Sequence, residues 1–217
     1  MNSNSIQPGM RVLAVDPGTE TSGVVLCEIQ TDVPPVILIH DPHIYNPNLL
    51  VAISELALGE NFYRTALLLE EVACYGMPVG ATTFATVFWS GIIAQHYASH
   101  GGDTLAAVKR MQVKMALCHK TAGVKDSNVR QALIDAYGPG KQRAVGVKHN
   151  PGPLYGISKD AWQALALAYT AWLTPHNVRS PYDILEATPE SMSSNPLADK
   201  ARREMEDKPI DEGDAND

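Results

Sequence analysis

Three acidic residues are set in unusually apolar company. Asp16 directly follows Val12-Leu13-Ala14-Val15, Glu70 follows Leu67-Leu68-Leu69, and Asp160 precedes Ala161-Trp162-Gln163-Ala164-Leu165. A carboxylate left unpaired at the mouth of a buried strand is costly, and a divalent cation would relieve that cost. Glu71 follows Glu70, and because strand side chains alternate, at most one of the two shares Asp16's face. Gln163 falls three positions after Asp160, on the same helical face, where it can offer a neutral oxygen. Acids at two strand ends and one late helix can converge on hard cations such as Mg2+, which takes carboxylate oxygens and favours phosphate substrates. Two such ions can activate a water and stabilise the departing oxygen of a phosphodiester. Taken singly, each acid also fits a plainer role: a turn acid heading Asp16-Pro17-Gly18, an exposed strand-end pair at Glu70-Glu71, and a helix cap at Ser158 or Asp160.

The elements that would carry these residues are written in the hydrophobic pattern. Arg11–Asp16, Ser22–Ile29, Val36–His40, Ala66–Glu70 and Thr104–Val108 read as strands. Leu49–Leu58, Thr82–Ser99, Asp126–Tyr137 and Lys159–Leu173 carry helical spacing. Three strands in meander followed by strands alternating with helices predict an α/β layer on a mixed five-stranded sheet, and in such sheets function gathers at the carboxyl ends of the strands. Trp162 and Trp172 on the closing helix read as core. No internal repeat is visible.

The 217 residues suffice for one ordinary domain, and 45% hydrophobic with 19% charged residues fits a globular core. The longest apolar runs are too short for a membrane span, the N-terminus lacks a secretion-signal layout, and Cys27, Cys74 and Cys118 have no CxxC spacing. A reducing cytoplasm is the expected setting. The net charge of −7 resides wholly in 183–217, where eleven acids meet four bases, while 1–182 balance at thirteen of each. Within that neutral body, 109–148 hold nine bases against Asp126 and Asp135, a surplus suited either to a phosphate backbone or to a solvated helical face. The expected organisation is a flexible 1–9, a folded domain over 10–182 and an acidic, largely disordered tail over 183–217.

Four motifs in order carry a family resemblance. They are Ala14-Val15-Asp16-Pro17-Gly18-Thr19 with Ser22-Gly23; Leu69-Glu70-Glu71-Val72; Gln112-Val113-Lys114 followed by Gly123-Val124-Lys125 and Val129; and Lys159-Asp160-Ala161-Trp162-Gln163-Ala164-Leu165-Ala166. Over residues 10–175 the chain resembles the RuvC-type Holliday junction resolvases, of ribonuclease-H-like fold. The resemblance implies a crossover junction endonuclease with Asp16, Glu70 and Asp160 as ligands of two Mg2+ ions, for which Mn2+ often substitutes. It implies Lys114, Lys120, Lys125 and Arg130, with Lys159, as contacts to branched DNA. The family's aromatic wedge aligns with Ala73, leaving Tyr75 as the substitute. A four-way junction has two equivalent strands to cut, implying a homodimer packed through Thr82–Ser99. The departure is Gln163, where the family carries a second helix acid. Short length and a divergent tail give the chain the look of a phage-encoded member.

Three other readings compete. Asp16 to Gly23 also resembles the phosphate loop of sugar kinases and actin-like ATPases, which need two such domains. A catalytically weak or inactive junction-binding protein is suggested by Gln163, and a structured-RNA nuclease shares the fold. His119 and His149 flank basic positions, and 138–153 form a Gly- and Pro-bounded segment with Lys141, Arg143 and Lys148, suited either to clamping DNA or to a plain connection.

Overall fold

The computed structural model describes residues 6–73, 78–102 and 105–175. Cys74, Tyr75 and the segment 183–217 lie outside the described residues. The elements run β1 (Arg11–Asp16), β2 (Thr21–Glu28), β3 (Val36–Tyr45), α1 (Asn46–Ala57), a 3-10 turn at Phe62–Arg64, β4 (Thr65–Glu71), α2 (Ala81–Ser99), β5 (Leu105–Lys109), α3 (Arg110–Cys118), α4 (Asp126–Tyr137), α5 (Lys141–Ala144), the short pair β6 (Gly146–Val147) and β7 (Asn150–Pro151), and α6 (Ala161–Leu173).

The main sheet has the order β3-β2-β1-β4-β5. β1, β2 and β3 are antiparallel neighbours, whereas β1, β4 and β5 are parallel. Alternation sorts the side chains into two cores. Val12, Ala14, Val25, Ala66, Leu68 and Val108 face α6 and the α3–α4 pair, while Leu13, Val15, Leu26, Leu67, Leu69 and Leu105 face α1 and α2. With both faces covered, the central strands need apolar residues at every position, which is why they read as unbroken runs. α6 presents Ala161, Ala164, Ala168 and Ala171, all fully buried, so its backbone lies close on β1 and β2.

The structure departs from the sequence expectation in four places. β3 does not stop at His40 but continues to Tyr45. It is an edge strand, and the pairing steps from Val24 with Asp41 to Ser22 with Ile44, so a bulge absorbs one extra residue around Pro42. An edge bulge is where a strand tolerates proline. α1 starts at Asn46, with Pro47 in its first turn, a position where the missing N–H costs nothing. The basic stretch after β5 is helical from Arg110 as α3, and α6 begins at Ala161, two residues later than expected. Trp162 is buried, as expected of core, and Trp172 donates its indole N–H to Gln30 O at 2.8 Å.

Candidate active site

Strand alternation places Asp16 on the face of Val12 and Ala14, and Glu70 on the face of Ala66 and Leu68, so both acids point toward the α6 side. β1 and β4 are hydrogen-bonded neighbours with Val15 opposite Leu69, which sets the two acids side by side at the carboxyl ends of their strands. Their carboxyls lie close enough for each to act on the ionisation of the other. Glu71 projects to the opposite face, where Lys109 Nζ lies 3.5 Å from its Oε1. Asp16, Pro17, Glu70, Glu71, Val72, Ala73 and Arg110 line a cleft of about 290 Å³.

The turn after Asp16 is held by a buried polar network. Ser22 Oγ donates to Asn46 Oδ1 at 2.7 Å, Asn46 Nδ2 donates to Gly18 O at 3.2 Å, and the Asn46 amide donates to Glu20 O at 2.9 Å. α1 is thereby stapled to the Asp-Pro-Gly turn.

Asp160 packs its backbone against β2 beside Asp16. A Cβ at Gly23 would sit 2.5 Å from the Asp160 carbonyl carbon and 2.7 Å from its Cβ, so only glycine admits this approach. Gly23 is the β2 partner of Asp16. The preceding Lys159 has φ of 45°, the left-handed region, and makes the turn into α6. Asp160 occupies the N-cap position yet makes no side-chain capping bond; its Oδ2 lies 3.2 Å from His43 Nδ1 on β3.

The electrostatics follow from packing acids together. Burial, then the charge of Glu70, raise the Asp16 carboxyl to about 7; Asp160 adds to the rise and Arg110 opposes it. Burial raises Glu70 as well, again opposed by Arg110. The guanidinium of Arg110 donates from Nη1 to Glu70 Oε2 at 3.1 Å and from Nη2 to Asp126 Oδ1. Arg110, His43 and Asn46 are the residues of this site that sequence reasoning missed. A signal existed for the first: Arg110 is the first residue beyond the carboxyl end of β5.

Asp16 and Glu70 are thus brought together, and Asp160 is set beside them with its carboxylate turned to His43. Among the described residues no group of three acidic, histidine or cysteine side chains is gathered to hold one ion. The donor chemistry nevertheless suits a hard cation: two half-buried carboxylates that repel each other, and a Gln163 Oε1 that is buried with no hydrogen-bond partner.

The basic residues share one flank. Lys114 lies on α3, Lys120 on the exposed turn after it, Lys125 just before α4, and Arg130 on α4 with its guanidinium carbon 4.6 Å from the Trp162 ring centroid. That flank adjoins the cleft directly, because Asp126, next to Lys125, is the second partner of Arg110. Lys159 is exposed, one residue before Asp160. The 138–153 segment contains α5 and the β6–β7 pair, with Lys141, Arg143, Lys148 and His149 all exposed.

No protein-family model matches the chain, and no curated protein matches it. Among solved structures, RuvC of Thermus thermophilus is similar at 19% identity, covering 76% of this chain and 95% of that one with a TM-score of 0.56. T. thermophilus RuvC in complex with a Holliday junction substrate is similar at 18% identity over 74% of this chain and 92% of that one, with a TM-score of 0.54. The fold is that of the RuvC-type resolvases. The RuvC-type likeness spans nearly the whole of those chains, and it accounts for the mixed five-stranded sheet with helices on both faces. At such identities it speaks for the fold, so the chemistry rests on the side chains already described.

Proposed function

We propose that this chain is a metal-dependent endonuclease that resolves four-way DNA junctions as a dimer. The observation that carries the reading is the meeting of Asp16 and Glu70 on adjacent parallel strands, with Asp160 laid against Asp16's strand partner Gly23 and a basic flank beginning one residue from Asp126. Carboxylates destabilised by burial and mutual repulsion are stabilised by a divalent cation, which has to take the place of the proton that the raised Asp16 would otherwise hold. Asp16 and Glu70 would hold it, Gln163 offers a neutral oxygen from the same helix, and Asp160 joins by leaving His43. Mg2+ or Mn2+, when bound, supplies a water nucleophile and charge stabilisation for phosphodiester hydrolysis. The chain's own residues do the rest. The Ser22–Asn46 network holds the turn beneath Asp16, Gly23 lets α6 close down, and Lys114, Lys120 and Lys125 meet phosphates by charge, which positions DNA without reading its sequence. Tyr75 as wedge, Lys159 and Arg130 as further DNA contacts, and pairing of copies through α2 belong to the same proposal.

The test is a cleavage assay on a junction with separately labelled arms, in Mg2+, Mn2+ and Ca2+, with Asp16→Asn alongside the wild type. Paired nicks near the branch point in Mg2+ or Mn2+, lost in the variant while its gel shift persists, are expected. Nicking unchanged in Asp16→Asn defeats the site assignment. A second reading, a junction-binding protein that does not cut, is favoured by the Asp160–His43 pair and the neutral Gln163. Junction-specific shifts with no nicking in either metal would select it.

A further inference from the structure

Arg110 is a cation built into the cleft. Its side chain is 21% exposed, and that of Glu70, its partner at 3.1 Å, is 16% exposed. The other half of its fork holds Asp126, whose side chain is 61% exposed at the start of α4. A guanidinium does not leave such a contact by losing a proton; it leaves only by moving. The Glu70 contact is also the one a divalent ion would need. An anion this buried is held by whatever cation is present, and removing that cation without a replacement is costly.

We propose that Arg110 acts as the resident counter-ion of Glu70 when the cleft holds no divalent ion, and that an incoming ion must displace it from Glu70 Oε2 while it keeps Asp126. This rests on the metal reading given above and names the residue that sets the strength of metal binding. Two consequences follow. Arg110 lowers the affinity of the empty cleft for metal, since the ion has to compete with a cation already in place. Metal entry also turns one edge of the guanidinium loose beside the cleft while the other stays anchored to the helix that follows Lys125, a position from which planar N–H donors suit a phosphate.

Mn2+ titration of the full chain without DNA, followed by electron paramagnetic resonance of the free ion and by calorimetry, tests this apart from activity. Arg110→Gln is expected to bind Mn2+ about tenfold more tightly than the wild type, in the ordinary range of coupling between competing sites. Lys109→Gln supplies the control. It removes the same charge one residue away, from a more exposed side chain paired with Glu71 rather than with Glu70, and should stay within about twofold of wild type. Arg110→Lys, which keeps the charge but not the fork, should gain less than Arg110→Gln and still exceed wild type. If Arg110→Gln does not fold, Arg110→Lys carries the test. Wild-type binding with no gain in the Arg110 variants, or an equal gain in Lys109→Gln, overturns the inference and leaves the metal reading intact. No Mn2+ bound by any of the proteins overturns both.

Discussion

At the scale of single residues, the cleft is a place where charge is held against burial. A carboxyl raised from 3.8 to about 7, as at Asp16, grips its proton more tightly in the folded chain than in the unfolded one. Between those values the native state is favoured by protonation, so the metal-free protein loses stability as pH rises from about 4 to about 7, and above about 7 the full cost remains. Metal-free protein should therefore melt at a higher temperature at pH 5 than at pH 8. Asp16→Asn should raise the melting temperature at pH 8 by several degrees, about 3 °C for each kcal/mol relieved, and flatten the dependence. Added Mg2+ should stabilise the wild type at pH 8 and the variant much less. Scanning calorimetry in EDTA and in Mg2+ checks this, and parallel pH profiles for the two proteins would refute it. Much of the acid set was legible in sequence because an acid closing an apolar run is conspicuous. The motif resemblance pointed to Glu70, and parity within β4 puts Glu70 on the Asp16 face and Glu71 on the α2 side with Lys109. Arg110 stood in plain view among the bases, but its role needed the alignment of β5 against β4, where Glu70 pairs with Val108.

At the scale of elements, the site depends on how closely α6 can approach β2. The atoms that a Cβ at Gly23 would strike are the Asp160 carbonyl carbon at 2.5 Å and oxygen at 2.6 Å, backbone that cannot swing aside like a side-chain tip. Gly23→Ala is expected to cost about 1–3 kcal/mol, the usual range for overpacking. It should also push Asp160 away from β1, with at least a tenfold loss of cleavage rate and little change in junction binding. Denaturant unfolding and single-turnover cleavage measure the two effects, and a stable variant with full activity would show that the helix start has slack. The strands and α6 were readable because their burial is continuous. α3 was not, since Val113 is its one fully buried residue and its other positions are polar or half-covered. The far half of β3 was hidden for a related reason: Asp41, Pro42 and His43 look like a loop until an edge bulge is allowed. Asp160 does stand at the N-cap of α6, but without a capping bond, because His43, brought over by that same hidden half-strand, takes its carboxylate.

At the scale of the whole molecule, the proposed dimer calls for a surface that could join two copies. On α2, Phe84 and Phe88 are 64% and 66% exposed and Val87 is half-exposed. Val87, Phe88, Gly91, Ile92 and Gln95 line a shallow groove along the helix. Replacing both Phe84 and Phe88 by glutamate is expected to convert a dimer to a monomer by light scattering, leaving the fold unchanged by circular dichroism. The paired cutting of opposite strands should fall to single nicks. A wild-type chain that is monomeric at tens of micromolar would remove the premise. Among the described residues no helix is long and apolar enough to cross a membrane.

The bulge around Pro42 has a consequence at this largest scale. β3 forms one border of the sheet and displays Val36, Leu38 and Ile39 to solvent, a combination that in a flat strand invites a stranger's backbone to zip alongside and seed insoluble fibres. A proline without an N–H, set where the ladder kinks, breaks that template after a few residues. The molecule thus keeps a sticky rim from becoming a growth front, and does so within the strand that delivers His43 to Asp160.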